Sequence, residues 1–169
     1  MGWRTISGPL GAQVDNVDSS AVFQYGTRCY AQYYDTSSAA TTYHGDFVYV
    51  KGVASAAAGK WAALNPDNDT PALLPDGHIG GVGVFVSSLV ASKSGWVQVT
   101  GKGQGLLAAA VADNAILYTT ATAGQAGADA ASQSEIMGAR AAAAADSSSA
   151  GNVDVELWWP HCATVASAL

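Results

Sequence analysis

The side chains able to do chemistry are few and scattered. Three histidines, His44, His78 and His161, are the chain's imidazoles, the side chain most used as a general base. Two of them stand beside acids, in His44-Gly45-Asp46 and Asp76-Gly77-His78, the pairing that orients a general base in a hydrolytic triad. No Gly-x-Ser-x-Gly nucleophile turn accompanies either, so both read as polar turns. His161 precedes Cys162, and a second spaced pair that would complete a tetrahedral metal site is missing. Asp67, Asn68, Asp69 and Asp76 offer oxygens to calcium from one loop, without the central Gly and distal Glu of the helical calcium loop. Asx turns account for them. Gly101, Gly103 and Gly105 suggest a phosphate loop only superficially, since no Gly-Lys-Ser/Thr ending follows. Glu135 and Glu156 are the chain's only glutamates, and paired carboxylates of a glycosidase meet only in three dimensions. These residues define no catalytic, cofactor or metal site, and catalysis is not the expected activity.

The bulk properties point the same way. At 169 residues and 17.0 kDa the chain fits one domain with a real core. Charged residues make up 12% against 49% hydrophobic, about half the usual charged share of roughly 25%. Much of the exterior must therefore be small, neutral and fit to touch other protein. A net charge of -6 and seven scattered basic residues exclude a nucleic-acid backbone as partner. No apolar run approaches the roughly 18–20 residues of a membrane span, and MGWRTISGPLG lacks a signal-peptide core. The expectation is a soluble protein made in the cytoplasm, with Cys29 and Cys162 as free thiols. Their pairing would require the N-terminal segment to lie beside the C-terminal strand.

Stepping along the chain, residues 1–45 read as an irregular arm or a pair of loosely patterned strands. Tyr25, Tyr30, Tyr33 and Tyr34 there are either interface aromatics or half-buried strand residues. From 46 to 169 the pattern is β. Asp46–Val53 predicts a strand with Lys60–Leu64 as its hairpin partner, and Asn65–Gly80, holding Pro66, Pro71 and Pro75, a long turn-rich connection. Gly81–Ala91 predicts a buried strand bent at Gly83. In Trp96–Thr100, Val97 and Val99 share one face, Trp96 and Gln98 the other. GKGQG reads as a corner, LLAAAVA as either a strand or a short helix with the Gly-bounded context favouring strand, and Asn114–Ala121 as another strand. Ile136–Ala145 and Val153–Trp159 form a closing hairpin around Asp146–Gly151. Its return strand places Val153, Val155, Leu157 and Trp159 toward the core and Asp154, Glu156 and Trp158 away from it. The fold class is all-β: a small antiparallel barrel or sandwich with an irregular N-terminal arm.

The stretch GVGVFVSSLVASKSGWVQVTGKGQGLLAAAVADNAILYTTATAGQAG, then IMGARAAAAA and NVDVELWWP, resembles the head decoration, or capsid cement, proteins of tailed bacteriophages. The likeness covers about Gly80 to Pro160. It implies a non-enzymatic module on the outer capsid surface of a virion, bridging subunits of the major capsid protein and often self-associating as a trimer. Trp3, Tyr33, Tyr34, Trp158 and Trp159 are then the candidate interface anchors, with the core as the alternative for Trp159 that its strand phase gives. The rival readings are a carbohydrate- or receptor-binding β module of a fibre or spike, and another virion component such as a head-fibre or tail-tube subunit.

Overall fold

Alternating Val, Tyr and Trp with small or polar residues builds strands throughout, because branched and aromatic side chains suit a pleated, half-buried surface. A computed structural model describes residues 2–34, 42–65, 68–130 and 133–163, and among these there is no helix. The strands are β1 (Gly2–Ser7), β2 (Arg28–Tyr34), β3 (Thr42–Lys51), β4 (Trp61–Asn65), β5 (Asn68–Leu73) and β6 (Gly80–Phe85). They continue as β7 (Ser94–Gln98), β8 (Thr100–Leu107), β9 (Ile116–Thr119), β10 (Ala126–Gly127), β11 (Glu135–Ala141) and β12 (Gly151–Ala163).

Five of these close into a barrel. β12 pairs with β8 and β11, β11 with β9, β9 with β10, and β10 returns to β8. Its interior is filled by Leu107, Leu117, Ile136, Val155 and Leu157, with Trp61 of β4 packed among them. The Trp61 indole N–H donates to the Leu106 carbonyl at 3.1 Å, which satisfies the ring's one polar atom. The other strands form a sheet in the order β1-β2-β3-β7-β6, joined to the barrel through β6 and β12 and extended by β4 and β5. This sheet curls until β5 approaches β3 without a ladder between them. Phe85, Val97, Val99, Val50 and Ala62 fill the curl.

The sheet's other face holds Phe47, Tyr49 and Trp96, covered by the loop between β1 and β2. Asp18 straps that loop down. Its backbone exchanges hydrogen bonds with Ser94 at 2.8 and 3.0 Å, and its carboxylate accepts from the buried Tyr49 hydroxyl at 2.6 Å.

β7 and β8 are one path of chain that leaves the sheet for the barrel. Gly101, at φ +85°, makes the crossing, and a Cβ there would stand 1.7 Å from the His44 carbonyl oxygen. The same face of β8 carries Gly103 and Gly105, where added Cβ atoms would meet Gln98 Oε1 at 2.6 Å and the Trp61 ring at 3.0 Å. GKGQG is therefore strand, not a corner: its glycines let another backbone and two side chains lie flat on it.

The all-β barrel expectation holds, and several boundaries move. KWAAL is β4, but it pairs with β5 and β6 rather than with β3. The connection 65–80 contains β5, which among the described residues pairs with β4 alone and so tolerates Pro71 on an edge. β6 ends at Phe85, and Gly83 is a place of close approach, with a Cβ falling 2.4 Å from Val97 Cγ1, rather than a bend. LLAAAVA leaves the strand after Leu107. Within residues 2–34, β1 is laddered to β2 and β2 to β3, with the long loop between β1 and β2 joining them.

Candidate functional site

A regular strand turns successive side chains to opposite faces, so two adjacent tryptophans should not both face water. Trp158 and Trp159 do, at 53% and 46% exposure. The cause is a bulge in β12. Met137 pairs with His161 and Ala139 with Leu157, so Gly138 alone opposes the three residues 158–160. Trp159 takes φ +51° and Gly138 φ +75°, and a Cβ on Gly138 would lie 2.7 Å from the Trp158 carbonyl oxygen. The left-handed residue resets the strand phase. Val155 and Leu157 are buried before it, and Pro160 and Cys162 after it. The expected core placement of Trp159 is thus overturned, while Val155 and Leu157 keep theirs.

Each indole carries a guanidinium over its ring. Arg28 lies 4.7 Å from the Trp159 centroid and Arg140 lies 5.6 Å from that of Trp158. These cations hold the rings while leaving area open to solvent. Met137, at 43% exposure, extends the apolar surface on the neighbouring strand. Trp159 also stands at the rim of a cleft of about 500 Å³ at the open seam of the curled sheet, walled by Val48, Val50, Leu64 and Pro160.

The other candidate anchors lie elsewhere. Trp3, Tyr33 and Tyr43 occupy registered positions on β1, β2 and β3 and form one aromatic row. The Trp3 and Tyr33 rings meet edge-on at 5.4 Å, and Tyr33 and Tyr43 are 6.1 Å apart. Trp3 is rooted on Phe47 at 4.9 Å. Tyr34 shares the ladder through its backbone, and its side chain lies outside what the structure describes. The four candidates with described side chains therefore form two groups rather than one surface. Tyr43, Arg28 and Arg140 were not singled out by sequence. Only Tyr43 had a usable signal, the alternation Tyr43, Gly45, Phe47, Tyr49 that carries β3 upstream of Asp46.

Among the described residues the His, Cys, Asp and Glu side chains do not gather into a cluster of three or more. His44 Nδ1 shares a 2.7 Å hydrogen bond with the Tyr30 hydroxyl, and His78 Nε2 bonds the Gly81 carbonyl at 3.2 Å. Asp76 accepts from Thr119 Oγ1 at 3.1 Å, while Asp67 and the side chains of Asn68 and Asp69 lie outside the described residues. Among the described residues no cluster of three or more His, Cys, Asp or Glu could hold a metal ion. Both cysteines are free and buried in different cores, Cys29 beneath β2 and Cys162 in the barrel. Burial pushes both thiols up to about 12, with the Asp46 charge adding to the effect at Cys29. No protein-family model, characterised protein or solved structure matches this chain.

Proposed function

We propose that this protein is a non-enzymatic virion module that docks on the outer surface of a phage capsid and bridges subunits of its major capsid protein. The observation that carries the reading is the Trp158–Trp159 pair, two consecutive large side chains that a bulge leaves exposed. Tryptophan and arginine dominate binding hot spots, where truncating one residue costs about 2 kcal/mol or more. The pair is framed by Arg28, Arg140 and Met137, on a chain with little charge to repel a neutral partner. The likeness of residues Gly80 to Pro160 to capsid cement proteins supports the same reading, and with it self-association as a trimer.

Function then follows from mass action. A protein that binds the assembled lattice and not its free subunits stabilises assembly by RT ln(1 + [L]/Kd), about 2.7 kcal/mol per site at a hundredfold excess over Kd. Summed over a lattice, such terms oppose the pressure of packaged genome. The test is co-sedimentation with heads stripped of this protein, followed by heating. Wild-type protein should pellet with the heads and raise their disassembly temperature, and a Trp158→Ala/Trp159→Ala double variant should do neither. Equal disassembly temperatures with and without the protein, together with its absence from the pellet, reject the proposal.

A further inference from the structure

A second site lies away from the exposed tryptophan pair. Between the aromatic row and the β8–β12 edge of the barrel runs a groove of about 420 Å³, within the range of roughly 300–1,000 Å³ typical of small-ligand sites. Trp3, Tyr33 and Tyr43, each half-buried, form one wall. The other wall is polar. Lys102 and Gln104 of β8 face the groove with Asn152 and Asp154 of β12, and register places Gln104 opposite Asp154.

These polar groups are held in place. Lys102 Nζ bonds Asp154 Oδ2 at 2.7 Å and lies 5.1 Å from the Tyr43 ring centroid, tying the two walls together. Gln104 Nε2 donates to Asp154 Oδ1, and Asn152 Nδ2 donates to the Ala58 carbonyl at 3.2 Å. Gln98, buried at the groove floor, donates through Nε2 to the carbonyls of Thr100 and Lys102 at 2.9 and 3.0 Å, which fixes its Oε1. Two glycines let the polar side chains lie directly against the backbone. A Cβ on Gly103 would stand 2.6 Å from Gln98 Oε1, and one on Gly59 2.3 Å from Asn152 Oδ1.

We propose that this groove binds an oligosaccharide, with a sugar ring laid against the Tyr33–Tyr43 aromatic row and its hydroxyls bonded by Gln104, Asn152 and Asp154. A pyranose has an apolar C–H face that packs on an aromatic ring and an equatorial rim of hydroxyls that donate and accept at once. Preset amides and a carboxylate match that rim, since they offer both donors and acceptors. A proline-rich peptide would also pack on the aromatics, but its prolines lack N–H groups. It would leave the Asp154 carboxylate and Gln98 Oε1 facing acceptors. The inference does not rest on capsid docking, because no groove-wall side chain belongs to the Trp158–Trp159 surface.

The experiment is a glycan array of neutral hexose, N-acetylhexosamine and uronic-acid oligosaccharides, followed by calorimetric titration with the oligosaccharide best retained. Wild type should retain at least one class. Tyr43→Ala and Asp154→Asn should each weaken it tenfold or more, and Trp158→Ala should leave it unchanged. Asp154→Asn preserves size and fold, so its result stands even if Tyr43→Ala destabilises the sheet. An array without retention, retention indifferent to Asp154→Asn, or competition by a polyproline peptide with all glycans silent would each overturn the proposal. Head co-sedimentation is read separately, so the two sites fail independently.

Discussion

At the scale of single residues, Trp159 is where stability and exposure are set against each other. A bulky side chain in the left-handed region costs roughly 1–2 kcal/mol, which the Arg28 contact at the ring partly offsets. Trp159→Gly removes strain and ring together. Thermal unfolding should show stability unchanged or raised by up to about 1 kcal/mol, and under the proposed docking role co-sedimentation with heads should be lost. A large fall in stability would mean that the ring supports the fold. Asp18 gives the opposite case. Asp18→Ala leaves the buried Tyr49 hydroxyl without its acceptor and should cost about 1–3 kcal/mol in denaturant unfolding. The cysteines are chemically quiet. With thiols near 12, the thiolate fraction at pH 8 is about one in ten thousand, so alkylation of the native protein should track unfolding rather than surface exposure. The sign of the pH effect follows. Both thiols ionise more readily in the unfolded chain, whose ordinary value is 9.0, so their contribution to stability is full below about pH 9 and declines as pH rises toward 12.

At the scale of elements, the glycines of β8 separate two roles that sequence alone blurs. Gly101→Ala meets a backbone carbonyl and a strained φ and should destabilise by about 3 kcal/mol or more, whereas Gly151→Ala, with open space around it, should stay within about 0.5 kcal/mol. Chemical denaturation of the two variants side by side decides this. The alternation in Trp96–Val99 was legible because every residue of β7 is buried and each face serves its own core. GKGQG was not, because a glycine that admits a neighbouring backbone has the same letter as one that turns the chain. Nor was Trp159. Period-two reasoning assumes an unbroken strand, and the three-against-one bulge depends on Gly138, some twenty residues upstream. The Trp3–Tyr33–Tyr43 row needs the register of three strands, which composition does not specify, so Trp3 and Tyr33 were named without their relation to Tyr43 or Lys102.

At the scale of the whole molecule, β6 and the β7–β8 path run through both halves. Removing either half would expose the apolar face of the other, so unfolding should follow one transition by tryptophan fluorescence and circular dichroism alike. Two separated transitions would show that sheet and barrel stand alone. The all-β class was readable from composition and strand spacing, but the closure was not. It depends on β8 meeting both β12 and the two-residue β10, the latter in parallel, and long-range pairings of that kind leave no local mark. One mechanical consequence remains. β12 is gripped by β6, β8 and β11, whereas β1 is held along one side by β2 alone. Tension entering through β1 would peel it away rung by rung at low force. Tension entering through β12 would have to shear several ladders at once, so the two strands would yield to force at very different loads.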